Sequence, residues 1–123
     1  KWSGKTILIA EDEEINFYYL REALEETQAV VLHARNGKEA VEMVMKNTDI
    51  DLVLMDIKMP VMDGYEATNE IKKIRKGIPV LAQTAYALSG EKKKSFEAGC
   101  DDYLFKPIQP EILLSTVAKY LTQ

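Results

Sequence analysis

The sequence is poor in the residues that most enzymes and secreted scaffolds rely on: one cysteine, one histidine, one tryptophan and four prolines in 123 positions. A lone thiol, Cys100, excludes an internal disulfide and a thiolate metal cluster, and it suits a reducing compartment. The lone histidine, His33, lies inside an apolar stretch and reads as a packed or edge residue, so no Ser-His or Cys-His pair is expected. Long hydrophobic runs are missing too. The longest are four residues, as at 7–10 and 52–55, where a membrane-spanning helix takes about 20. No charged-then-apolar start resembles a signal peptide, and the expected location is the cytoplasm. Neither G-x-x-x-x-G-K-S/T nor G-x-G-x-x-G occurs, so the six glycines read as turn and cap residues and not as a nucleotide cradle. Basic residues are outnumbered, 16 against 20 acidic, for a net charge of −4. The short lysine-rich stretches at 72–76 and 92–94 read as solvated helix faces, which argues against nucleic acid.

What is present is an alternation. Short aliphatic and β-branched runs at 6–10, 29–34, 51–55, 78–84 and 103–105 read as strands. Two of them, Ile7-Leu8-Ile9-Ala10 and Leu52-Val53-Leu54-Met55, are apolar without alternation, as strands buried on both faces of a parallel sheet are. Helical spacing fills the gaps. Ile15, Tyr19, Ala23 and Leu24 form one predicted stripe; Val41, Val44 and Met45 another; then Ala67, Ile71 and Ile74; and finally Ile112, Leu113, Val117 and Leu121 behind Pro110. Ser89 and Gly99 are read as the caps of a fourth helix that has little besides Phe96 to bury and is expected to be the least anchored. Five βα units of about 25 residues predict one α/β domain with a five-stranded parallel sheet and helices on both faces. Such sheets bind ligands at the carboxyl edge.

That edge is chemically biased. The first strand runs into Glu11-Asp12-Glu13-Glu14, the third into Asp56, the fourth into Thr84 and the fifth into Lys106-Pro107. Taken singly, the acidic run reads as a first helical turn favoured by the helix dipole, and Asp56 as a strand end in water. Taken together, crowded carboxylates call for a cation, and hard oxygen ligands select Mg²⁺. Lys106 and Thr84 supply a positive charge and a hydroxyl for the oxygens of an anion. The set reads as a phosphoryl site with Asp56 as the nucleophile, because aspartate forms acyl phosphates and a carboxylate needs no general base. Cys100 reads as a partly buried small residue, and Met55, Met59 and Met62 as packing around Asp56.

These residues resemble the receiver domain of two-component response regulators over nearly the whole chain. Ile7-Leu8-Ile9-Ala10-Glu11-Asp12-Glu13 is similar to the family's first strand and acidic pair. The run from Leu52 through Asp56-Ile57-Lys58-Met59-Pro60 to Asp63-Gly64 is similar to its phosphoacceptor strand and loop. Pro79-Val80-Leu81-Ala82-Gln83-Thr84-Ala85 resembles the hydroxyl-bearing strand, and Gly99-Cys100-Asp101-Asp102-Tyr103-Leu104-Phe105-Lys106-Pro107 the fifth strand with its Lys-Pro corner. The resemblance implies a flavodoxin-like (βα)5 three-layer sandwich with strand order 2-1-3-4-5, spanning 6–123 after a linker at 1–5 that includes Trp2-Ser3-Gly4. It implies that Asp56 takes a phosphoryl group from a phosphohistidine on a histidine kinase or histidine phosphotransfer domain. Asp12, Asp56 and the Lys58 backbone carbonyl would bind Mg²⁺, Glu11 would act through water, and Lys106 would pair with the phosphoryl group. Thr84 and Tyr103 would form the switch that alters the face of the fourth helix, fifth strand and fifth helix. In this role the domain catalyses its own phosphorylation and dephosphorylation, with Lys58 and the shielding ring of Tyr86 tuning the lifetime.

Asn16, the Gly-Cys-Asp-Asp run and Pro107-Ile108 resemble receivers attached to hybrid sensor histidine kinases, so the expected source is the cytoplasmic part of such a kinase, passing phosphate onward to a histidine phosphotransfer domain, over a stand-alone regulator. No direct contact with nucleic acid or membrane is expected, and a phosphorylation-dependent dimer is left open. Two rivals are weighed. A phosphohydrolase of the haloacid dehalogenase type needs a second Asp two residues after the nucleophile, where Lys58 stands. An interaction module that is never phosphorylated has no need of the full set of Glu11, Asp12, Asp56, Thr84 and Lys106.

Overall fold

The two uninterrupted apolar runs take the middle of the sheet. In the computed structural model, which describes residues 1–85 and 89–121 (Ser89 and Glu91 without their side chains), β1 (Thr6–Ala10) and β3 (Leu52–Asp56) are buried along their length. They lie between β2 (Val30–Ala34) on one side and β4 (Val80–Thr84) and β5 (Asp102–Phe105) on the other. All pairings are parallel, in the order β2-β1-β3-β4-β5, as expected. The helices α1 (Glu14–Leu24), α2 (Gly37–Lys46), α3 (Gly64–Ile74), α4 (Ser89–Ala98) and α5 (Pro110–Leu121) follow the strands in turn. This is the flavodoxin-like three-layer sandwich.

Side chains alternate across each strand, so the sheet divides the core in two. Leu8, Val53, Met55, Val80 and Ala82 pack with Ala40, Val44, Ala67 and Ile71 of α2 and α3. Ile7, Ile9, Leu52, Leu54 and Leu81 pack with Phe17, Leu20 and Leu24 of α1 and Leu113 and Val117 of α5. Local chemistry sets the helix ends. Asn36 and Asp63 cap α2 and α3 by accepting from the backbone N–H of Glu39 and Glu66. Pro110 opens α5, and Gly99 ends α4 at φ +109°.

Each of the four predicted stripes departs somewhere from the sequence expectation. In α1 the sheet takes Phe17, Leu20 and Leu24, leaving Ile15 83 % and Tyr19 45 % exposed. This helix is apolar around more than half its circumference, so periodicity does not single out one stripe and packing decides. Ile112 stays outside while Leu113, Thr116 and Val117 turn in, and Met45 and Ile74 are exposed. In α4 the fully buried residue among those described is Ser95, and Phe96 is 43 % exposed. Ser89 is the first residue of α4 and its capping side chain is outside the described residues, as is the whole of Tyr86.

The segment read as linker is tied down at Trp2. The indole is only 8 % exposed among the α1–α5 side residues, and its backbone N–H donates to the Thr27 carbonyl at 2.8 Å. The large apolar area of an indole outweighs the turn-like Ser3-Gly4 that follows it. Trp2→Ala is expected to cost about 2–3 kcal/mol, lowering the melting temperature by about 10 °C in a thermal scan; an unchanged melting temperature would restore the linker reading for this residue.

Candidate active site

Parallel strands deliver their last residues to one edge, and the alternation decides which of them meet. Glu11 continues the parity of Ile7 and Ile9 in β1, and Asp56 that of Leu52 and Leu54 in β3. Lys106 continues that of Leu104, so all three belong to the α1–α5 side of the sheet. Lys106 Nζ lies 3.0 Å from Asp56 Oδ1 and 3.5 Å from Glu11 Oε1. Carboxylate oxygens of Glu11, Asp12 and Asp56 come within 4.8 Å of one another. Glu11 and Asp56 are buried and Asp12 is exposed. The cleft at Asp12, Asp56 and Lys106, about 180 Å³, is lined also by Lys58, Thr84 and Gln83. Three hard oxygen donors at this spacing, one of them open to solvent, suit a divalent cation of the Mg²⁺ type.

Burial, with the adjacent Asp56 charge, pushes the Glu11 carboxyl up from its ordinary 4.5 to about 7, against the Lys106 ammonium and the Glu13 N–H that pull it down. Burial works against the Lys106 charge, but the Asp56 and Glu11 carboxylates outweigh it and hold the ammonium above its ordinary range. The site therefore has more negative charge than one lysine balances.

The strand that ends in Asp56 is held from behind. Gly64 N–H donates to the Ile57 carbonyl at 2.8 Å, and a Cβ on Gly64 would stand 2.3 Å from the Asp56 carbonyl oxygen, so only glycine permits this approach. In the loop between them Met62 N–H donates to the Pro60 carbonyl at 2.8 Å, around Val61 at φ +72°. A β-branched residue in that region is strained, and the strain lies five residues from Asp56. His33 behaves as an edge residue: its ring stacks on Phe17 at 3.7 Å and its Nε2 is 2.8 Å from the Glu11 backbone oxygen. Cys100 is more buried than expected, and burial raises its thiol to about 11.

The structure thus brings together Glu11, Asp12, Asp56, Lys58, Thr84 and Lys106. Tyr103 stands apart from the cleft, on the α4 side, with its ring edge-on to Phe96 at 5.8 Å and to Phe105 at 5.0 Å, and with Lys92 Nζ 5.0 Å from its centre. Sequence reading missed Gln83 as a cleft residue. A polar residue two positions after Leu81, on the same parity in a buried strand, was the available signal.

The profile of the response regulator receiver domain matches residues 7–118. The chain is 42 % identical to the chemotaxis protein CheY of Halobacterium salinarum over 119 residues, covering 97 % of this chain and 98 % of that protein. It is 36 % identical to hybrid signal transduction histidine kinase I of Dictyostelium discoideum, covering 95 % of this chain but 7 % of that much longer protein. Among solved structures it is similar to the receiver domain of a sensor histidine kinase from Pseudomonas aeruginosa PAO1, with a magnesium ion coordinated in the active site cleft. That match has a TM-score of 0.91 and 32 % identity, over 98 % of this chain and 100 % of that one. It is also similar to a Saccharomyces cerevisiae co-crystal structure of the histidine phosphotransfer protein Ypd1 with the receiver domain of its downstream response regulator Ssk1. Here the TM-score is 0.91 at 28 % identity, over 99 % of this chain and 92 % of that one. No helix among the described residues is long and apolar enough to cross a membrane.

The Glu11 shift has a definite consequence. The folded carboxyl holds its proton up to about pH 7 and the unfolded one only to 4.5. The folded state therefore binds more protons in that window, and stability without divalent ions falls as pH rises through it. Glu11→Gln removes the effect. At pH 8 in chelator the variant should be more stable than the native domain by on the order of 1–3 kcal/mol in urea unfolding, with the two converging below about pH 4.5; a less stable variant at pH 8 would contradict the account.

Proposed function

The chain belongs to the response regulator receiver family, and from that premise we propose that Asp56 is its phosphoacceptor, served by Glu11, Asp12, Lys58, Thr84 and Lys106. The domain is of the kind found in two-component and phosphorelay proteins, including hybrid kinases. The observation that carries the residue assignment is the Lys106 ammonium 3.0 Å from Asp56, beside a cleft lined by Asp12 and with the Glu11 and Asp12 carboxylates within 4.8 Å of that of Asp56.

In this reading a phosphohistidine of a histidine kinase or histidine phosphotransfer domain presents its phosphorus to Asp56. The P–N bond breaks with its electron pair returning to the imidazole, while a carboxylate oxygen of Asp56 forms the new P–O bond. The nucleophile has no proton to lose, so the lack of a second histidine is no obstacle. Asp12, Asp56 and the Lys58 backbone carbonyl would hold Mg²⁺, and Glu11 would act on it through water. The ion supplies charge neutralisation between the acceptor and the incoming phosphoryl oxygens. Lys106 leaves Asp56 for a phosphoryl oxygen, and the Thr84 hydroxyl donates to another. Support for the cation comes from the oxygen donor set and from the magnesium reported in the Pseudomonas relative; support for the partner comes from the Ypd1–Ssk1 pairing.

Tyr103 is assigned the switch together with Thr84. Its ring bridges Phe96 of α4 and Phe105 of β5, so a turn of that ring repacks the α4–β5–α5 face, whether for a partner domain or for a second receiver. The receiver is placed at 6–123, with Trp2 securing the segment before it, and its source is assigned to a hybrid sensor kinase working on the cytoplasmic side. Asn16, the run through Cys100 and Pro107-Ile108 support that source.

Incubation with acetyl phosphate and Mg²⁺, followed by intact mass, should give one phosphoryl adduct on the native protein and none on Asp56→Asn. An adduct of equal yield on both, or no adduct and no Mg²⁺ binding on the native protein, would defeat the proposal. Lys106→Met should bind Mg²⁺ at least as tightly, because a competing cation is gone, yet form the adduct about tenfold or more slowly; weaker metal binding with unchanged phosphorylation would reassign the lysine.

A further inference from the structure

Tyr19 of α1 is 45 % exposed, yet its hydroxyl donates at 2.6 Å to the carbonyl of Ile108, 89 positions away in the chain. The bond spans a groove of about 260 Å³ that has Tyr19 and Asn16 of α1 on one wall and Pro107 and Ile108 on the other, with Glu11 and Lys106 also lining it. Asn16 turns to its own end of the helix, where its Nδ2 donates to Glu13 Oε1 at 2.7 Å, while Tyr19 reaches across. A short hydrogen bond to a main-chain oxygen fixes backbone position, and this one fixes the backbone two residues beyond Lys106.

Lys106 depends on that backbone. Its side chain lines the groove on one side and the Asp56 cleft on the other, so the stem runs between two gaps and its position is set at its ends. At the tip, Nζ lies 3.0 Å from Asp56 Oδ1 and 3.5 Å from Glu11 Oε1. At the base, Lys106 N–H donates to the Thr84 carbonyl at 2.8 Å, and the following Pro107 has no N–H to give. The Tyr19 bond holds the far side of this corner, at a residue itself buried against α1 and α5. Because α1 starts directly after the run that supplies Glu11 and Asp12, the bond ties the lysine's loop to the segment that carries the acids. We propose that Tyr19 is a positioning residue for Lys106: its hydroxyl holds the loop after β5 so that the ammonium stands against Asp56 and meets the incoming phosphoryl oxygen. The catalytic part of this inference rests on the function proposed above; the placement of the ammonium does not.

Tyr19→Phe keeps the ring and deletes the hydroxyl, and two measurements on the full chain test the consequence. Competitive acetylation with acetic anhydride in chelator, read by peptide mass, should show Lys106 about threefold or more reactive in Tyr19→Phe than in the native protein, with Lys5 and Lys46 unchanged. Phosphoryl uptake from acetyl phosphate at saturating Mg²⁺ should be about threefold or more slower in Tyr19→Phe with Mg²⁺ affinity kept, and adding Tyr19→Phe to Lys106→Met should slow it no further. A tyrosine that only braced α1 would slow both backgrounds alike and leave Lys106 no more reactive than before. Unchanged Lys106 reactivity, a rise shared by Lys5 and Lys46, an unchanged uptake rate, or slowing that persists without Lys106 overturns the proposal. If the native protein takes no phosphoryl group on Asp56, the proposed function falls, and the acetylation comparison alone decides whether Tyr19 places Lys106.

Discussion

Three carboxylates are forced to one edge of a buried sheet, two of them paired with the Lys106 ammonium, and most of what distinguishes this domain follows from that crowding. Lys106 satisfies Asp56 closely and Glu11 less closely, and Asp12 faces solvent. Burial raises the energetic stake, because charges removed from water are screened less. The Glu11 carboxyl responds by holding its proton to about pH 7. Any cation that settles among these oxygens relieves the repulsion, and any anion that settles on Asp56 draws Lys106 toward itself. In the proposed role the same few groups link metal, phosphoryl group and proton.

The fold makes the crowding possible. Parallel strands in consecutive register send β1, β3 and β5 to the same edge, and the pairing of Asp56 with Gln83 keeps the acceptor inside the sheet. Behind it, the close approach of Gly64 and the strained turn at Val61 leave the acceptor loop little freedom. The α4 side is built differently: its one fully buried residue among those described is a serine, and its aromatic contacts at Phe96 and Tyr103 lie near the surface. A rigid edge beside a helix with few apolar anchors is a sensible arrangement for passing a local charge event to a distant face.

Much of this was legible in the residues. The two uninterrupted apolar strands announced the sheet centre, and the sequence of strand ends (Glu11, Asp56, Thr84, Lys106) announced the site, because parallel topology makes end residues neighbours. The α1 stripe was not legible, since a helix with Ile15, Phe17, Tyr18, Tyr19 and Leu20 offers several apolar faces and only packing selects one. The burial of Trp2 was not legible because its neighbours are turn-formers, while the core cluster it joins is built from residues remote in the chain.

The central claim is that Glu11 shares one charge balance with the cation site, and proton release on metal binding reads it directly. Calorimetric titration of Mg²⁺ at pH 7, in buffers of different ionisation enthalpy, should show release of about half a proton per ion, falling toward zero by about pH 8.5. Magnesium binding with no proton release at pH 7, or with release that grows above pH 8, would contradict the account.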